Sequence, residues 1–119
     1  MVCWFKISTS GIVSEGGRDS PTLDELQEAC GSYVELITLP KTYNQIWTNE
    51  EGRIRRLPVN EAATALLWDS ALLFAPQIVG PVVMVYTGDN DYEDCYEHIM
   101  QYDTSVRYEN NENFGEGEE

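Results

Sequence analysis

An α+β domain, built on a small, mostly antiparallel sheet with two or three packed helices, is the fold class this sequence predicts. Three observations predict it. Cys3, Phe5 and Ile7 alternate with Val2, Trp4, Lys6 and Ser8, the two-residue period of a strand. Residues 22–60 read in succession as helix, glycine stop, strand, turn and the start of a second helix. After residue 88 the apolar positions recur instead at helical spacing.

The first strand is followed by Ser10-Gly11, a turn into a short second strand at Ile12 and Val13, so the chain is expected to open with a hairpin. Residues 16–21, G-G-R-D-S-P, read as a loop. Thr22 and Glu25 form a capping-box pair, with Asp24 and Glu25 also favourable at the positive end of a helix dipole. Ser20 with Pro21 at the first helical position is an equally legal start. Leu23, Leu26, Ala29 and Cys30 make the buried stripe of this helix, and Gly31 is placed to end it in the left-handed conformation.

Residues 33–39 carry apolar side chains on both faces, which predicts a central strand. A further strand at 45–48 leads into the turn Asn49-Glu50-Glu51-Gly52, with a positive φ expected at the glycine and a return strand at 53–57. Pro58 ends that strand, and Asn60 is an N-cap for a helix with Ala62, Ala63, Leu66, Leu67 and Ala71 inward, ending before Pro76. Residues 78–86 read as another strand, interrupted at Gly80-Pro81, where a bulge or an edge position is expected.

The blocks T-L-x-x-L-Q-x-x-x-G-x-Y-V-E from Thr22, N-E-E-G from Asn49, L-P-V-N-E-x-A-T from Leu57 and I-V-G-x-V-V from Ile78 resemble the family known as domain of unknown function 3846. The resemblance covers roughly the first 86 residues, with Ser32 where the family usually has a second glycine. It implies a small phage or mobile-element accessory protein and brings no catalytic residues to carry over. The acidic C-terminal part has no recognised counterpart in it.

Tyr92, Cys95, Tyr96, Ile99 and Met100 nevertheless form one clean helical face, with Glu93, Asp94, Glu97, His98 and Gln101 opposite. Burial of such side chains is worth about 1.5–3 kcal/mol each, against a few tenths for repulsion between neighbouring carboxylates, so this helix should dock. The expected organisation is a core over 1–87, an acidic docked helix within 88–108 and a disordered acidic tail over 109–119.

The net charge of −14 is concentrated at that end. Residues 1–88 hold ten acids against six Lys/Arg, whereas residues 89–119 hold eleven against Arg107 alone. Such a field repels nucleic-acid backbones and anionic lipid and attracts basic protein surfaces. No apolar run approaches the roughly 20 residues of a membrane span, and the N-terminal stretch lacks the pattern of a signal peptide. Three cysteines without framework spacing fit a reducing compartment, so a cytoplasmic protein, the host cytoplasm if phage-encoded, is expected.

Candidate chemistry is sparse. Asp89, Asp91 and Glu93 imitate the opening of a calcium loop, but Asp94 stands where glycine is needed and Met100 where the bidentate glutamate is needed; capping suits the aspartates better. Cys95 and His98 have ligand-like spacing, yet fall on opposite helix faces. With one histidine, no Ser-His-Asp set can be assembled, and Cys95 or Cys30 with His98 is the residual pairing. No phosphate-binding glycine loop is present, and we assign no catalytic residue, metal or cofactor.

Two binding surfaces remain. Glu93, Asp94 and Glu97 form an acidic face suited to a host protein, as expected of a non-enzymatic accessory protein that modulates a host factor or counters host defence. The alternative is a small anionic ligand, for example a nucleotide signal held by a sponge, on an arginine island of Arg53, Arg55 and Arg56 with Lys41 and Tyr43 nearby. Pairing of those arginines with Glu50, Glu51 or the acidic helix is the simpler expectation.

Overall fold

The computed structural model describes residues 2–70, 75–89 and 91–104. Among these residues five strands and three helices follow one another as β1 (Cys3–Ile7), β2 (Val13–Gly17), α1 (Leu23–Cys30), β3 (Val34–Thr38), β4 (Gln45–Asn49), α2 (Glu61–Asp69), β5 (Val82–Tyr86) and α3 (Tyr92–Met100). The strands form one sheet in the order β2-β1-β5-β4-β3, every neighbouring pair antiparallel. The fold is α+β.

The two-residue period of the strands divides the core into two layers. Cys3, Phe5 and Ile7 of β1, Ile46 of β4 and Val82, Met84 and Tyr86 of β5 face α2 and α3. Trp4, Val83 and Val85, with Trp47 beside them, face Leu26 and Cys30 of α1. Helices therefore cover both faces, and β5 is buried along its whole length.

This places β5, not β3, at the centre. The apolar residues on both faces of β3 had predicted a central strand, but β3 is an edge, with Tyr33 65% and Leu36 42% exposed. Pro81 does not force β5 to an edge, because it precedes the strand, where its missing N–H interrupts no ladder. Gly80, at φ 81, makes the corner before it, and Val79 pairs separately with Val59.

The bulge lies elsewhere. Glycines 16 and 17 belong to β2 rather than to a loop, and the register slips between Trp4 and Phe5, leaving Gly16 as the extra residue. The Trp4 indole lies over this segment. A Cβ at Gly16 would overlap the ring, and one at Gly17 would stand 2.8 Å from Trp4 Nε1. Glycine here is a space requirement that composition alone reads as a loop.

The helix signals are local and hold. Thr22 is the N-cap of α1 with both bonds of the capping box, Glu25 N–H to Thr22 Oγ1 at 3.1 Å and Thr22 N–H to Glu25 Oε1 at 2.9 Å, and Gly31 ends the helix at φ 88. Leu23 is the exception within the predicted stripe, being exposed. Asn60 caps α2, its Oδ1 accepting the Ala63 N–H at 3.0 Å. Ala71, predicted on the same face, lies outside the described residues, as does the tail over 109–119.

Helix α3 buries Cys95 and Ile99, and Tyr92 stacks on Phe5 at 5.7 Å. Its end is tied to two other elements. Tyr102 donates to Asp69 Oδ2 at 2.8 Å, and the buried Asp103 accepts the Val13 N–H at 3.0 Å. Thr104 then donates to the carbonyls of Gly11 and Ser10, so this segment covers the β1–β2 turn.

Candidate functional site

Chain direction at the end of β4 sets the first concavity. The Asn49 carboxamide donates to the Cys30 carbonyl at 3.0 Å and accepts the Glu51 N–H at 2.8 Å, which turns the chain away from the sheet. The expected return strand at 53–57 does not form. Both sides of β4 are already occupied by β3 and β5, so residues 50–56 instead coil through Arg55 N–H to Glu51 O and Leu57 N–H to Gly52 O. The positive φ falls at Arg56 (54°), not at Gly52, whose role is packing: a Cβ there would stand 2.9 Å from Val79 Cγ2.

Beneath this coil lies a cleft of about 350 Å³. Ile37, Leu67 and Ile78 contribute its apolar lining, and Glu35, Glu50 and Arg53 its charged groups. The Arg53 guanidinium donates to the Gln77 carbonyl. With two carboxylates against one guanidinium, the cleft favours a cation over an anion.

The structure does not gather the arginine island around it. Of the three arginines only Arg53 lines the cleft; Arg55 and Arg56 are exposed on the coil. Lys41 and Tyr43 sit in the turn joining β3 to β4, at the opposite end of that hairpin, about 15 Å away at the usual rise per strand residue. Among the described residues none of these cations pairs with Glu50, Glu51 or α3, the ion pair present being Arg18 with Glu15 at 3.8 Å. The expected pairing is therefore not made there.

A second cleft, of about 260 Å³, opens between the β3–β4 turn and α3, where Asn44, Tyr86, Asp94 and His98 meet. Tyr86 Oη and His98 Nδ1 are 2.7 Å apart. Burial pushes the Tyr86 phenol up and the His98 imidazole down, the latter opposed by the Asp69 carboxylate. A neutral imidazole thus shares a hydrogen bond with a neutral phenol at pH 7, the imidazole tautomer setting which of them donates. His98 is exposed on the polar side of α3, as its helical position predicts, and its ring there lies edge-on to Tyr86 at 5.8 Å and to Tyr102 at 5.7 Å.

Two of the thiols are inert by the same physics. Burial, with Cys3 adjacent, pushes Cys95 up to about 12, and burial pushes Cys30 up to about 11, so neither supplies a thiolate near neutral pH. Cys30 donates to the Trp47 carbonyl at 3.4 Å in the α1 layer, across the sheet from His98, which removes it as a partner. Among the described residues no group of three or more His, Cys, Asp or Glu side chains is placed to hold a metal ion. Asp91 occupies the N-cap position of α3 without a side-chain cap bond, so the capping expected of it is backbone only.

Glu93, Asp94 and Glu97 are brought together, all three exposed on α3, with Asp94 reaching the rim of the second cleft. Sequence reasoning missed Tyr86 with His98 and Asp103 with Val13. Neither pair has a local signal, since its members are 12 and 90 positions apart.

Comparison with known proteins settles the affiliation. A family model, described as domain of unknown function (DUF3846), matches residues 10–108. The chain belongs to the DUF3846 family. The match runs beyond residue 86, so α3 is part of the DUF3846 domain and not an extension without counterpart. No curated protein and no solved structure matches the chain. No helix among the described residues is long and apolar enough to cross a membrane.

Proposed function

We propose that this DUF3846 protein is a non-enzymatic, phage-borne accessory protein that acts in the host cytoplasm. It binds a basic surface of a host protein through Glu93, Asp94 and Glu97, modulating a host process or blunting host defence. One observation carries the reading: α3 is held by Tyr102, Asp103 and Thr104 at its end and by Cys95 and Ile99 along its length, while its three carboxylates face solvent. No cation of the described residues neutralises them. A rigid element that displays unpaired charge loses little conformational entropy when a partner of opposite charge docks.

The test compares the tagged protein with its E93Q/D94N/E97Q variant in host lysate at stepped salt, with circular dichroism to establish that both fold. Retention of a host protein by the parent, its release as salt rises and its absence from the variant are expected. Equal retention by both would sink the reading. The alternative, a sponge for an anionic nucleotide signal, rests on the exposed Arg55 and Arg56; a nucleotide that raises the melting temperature of the parent but not of an R55A/R56A variant would favour it.

A further inference from the structure

We propose that the free edge of β3, together with the cleft beside it, binds an extended basic peptide segment by strand addition. This surface is separate from the α3 face and does not depend on it.

The two edges of the sheet differ. At β2 the outer side is occupied at its start, where Asp103 accepts the Val13 N–H, and Thr104 binds the carbonyls of Gly11 and Ser10 in the turn before it. At β3 it is open among the described residues. The bonds Leu39 N–H to Asn44 O and Glu50 N–H to Tyr33 O fix which residues of β3 face β4: the odd-numbered ones exchange bonds with it. Val34, Leu36 and Thr38 therefore direct three N–H and three C=O groups outward, and no proline, lysine, glycine or bulge within the strand guards them. An added strand takes up these groups as ladder partners.

Side chains supply the selectivity. Glu35 and Ile37 face the cleft of about 350 Å³, with Glu50 also lining it, diagonal to Glu35 in the register, and Arg53 engaged by the Gln77 carbonyl. A lysine or arginine on the cleft side of the added strand would lay its stem along Ile37 and its charge between Glu35 and Glu50. On the opposite side the added strand meets Leu36, 42% exposed beside Trp47, which calls for an apolar residue at the alternate position. The occupant is thus an extended segment that alternates basic and apolar residues. A second copy fits less well, since pairing two β3 edges joins two chains of net charge −14. The chain's own C-terminal segment is no better suited: Thr104 lies at the opposite edge, and residues 109–119 carry glutamates and no Lys or Arg.

The experiment selects a displayed library of random nonapeptides on the immobilised full chain, then measures a fluorescent synthetic copy of the enriched sequence by anisotropy. Enrichment of alternating apolar and Lys/Arg positions is expected. So is a loss of about tenfold or more in affinity in E35Q/E50Q, the scale of a lost charge-assisted contact. Leu36→Pro removes an outward N–H without touching the ladder to β4 and should abolish binding. Should that variant not fold, the peptide N-methylated at alternate backbone amides serves instead and should not bind the parent. E93Q/D94N/E97Q should bind unchanged. Enrichment without basic residues or alternation, tolerance of N-methylation in both registers, or loss of binding in the α3 variant in place of E35Q/E50Q each overturns the proposal. A parent that sediments as a dimer, and as a monomer on Leu36→Pro, overturns it in favour of self-pairing.

Discussion

Asn60 donates from Nδ2 to the Ile7 carbonyl at 3.1 Å, joining the start of α2 to the last residue of β1 across 53 positions. The same Nδ2 donates to the Gly80 carbonyl at 3.0 Å, and Oδ1 caps the helix at Ala63. One fully buried side chain thus holds a helix, a strand and the corner before β5.

Asn60→Ala should cost about 3 kcal/mol, from a lost cap and two lost bonds to the Ile7 and Gly80 carbonyls. Urea denaturation measures it. Asn60→Asp retains the capping oxygen but not the donors and should also destabilise; a variant as stable as the parent would show that the two donated bonds contribute nothing.

Asp103→Ala should cost about 1–3 kcal/mol by leaving the Val13 N–H unpaired, and should free the β1–β2 turn. Hydrogen exchange reports it directly. The Val13 amide should lose protection ahead of amides in β5, whereas uniform protection would mean that the carboxylate is dispensable.

Gly16→Ala sets a methyl group into the Trp4 ring and should cost about 1–3 kcal/mol, the usual scale of overpacking. Near-ultraviolet circular dichroism should change with it as the indole shifts. Trp4→Leu in the same chain should relieve the clash, so the double variant should be more stable than the two single losses added together.

His98 gives acid sensitivity. Burial lowers its pKa in the folded protein below the ordinary 6.5, so the unfolded chain takes up the proton first on acidification. The stability it confers is complete above about pH 6.5 and is lost as pH falls through the folded value. Asp69 opposes the shift, and Tyr86 and Tyr102 pack on the ring. Melting temperature should therefore drop between pH 7 and pH 5, and the drop should be smaller in His98→Gln. An identical profile in both proteins would remove His98 as its source.

Tyr86 answers at the other end of the scale. Its phenol is raised from an ordinary value of 10, so its contribution is complete below about pH 10 and is lost above it, as the unfolded chain ionises first. Tyr86→Phe should flatten that alkaline limb.

Much of the candidate site was legible, but not its assembly. Glu93, Asp94 and Glu97 were readable as one face because helical spacing alone places them, and the docking of α3 followed from the stripe at Cys95 and Ile99. The arginines were readable as exposed cations but not as a group. The return strand expected at 53–57 did not form, because β4 had no free side on which such a strand could pair, and on the coil that replaced it only Arg53 lines the cleft.

The sequence by itself determined the features whose partners lie within about four residues: the Thr22–Glu25 capping box, the Gly31 stop, the Asn60 cap on Ala63, the inward positions of Cys95 and Ile99 on α3, though not of Tyr96, which is exposed, and the two-residue period of β1. Tertiary structure alone decided that β5 is central and β3 an edge, that Gly16 and Gly17 are strand residues beneath Trp4, that Asp103 takes the Val13 N–H at the start of β2 and that Tyr86 meets His98. The physical reason is range. Capping bonds and helical spacing are satisfied by near neighbours, whereas strand order is set by which faces the helices cover, and residues far apart in the chain decide that together.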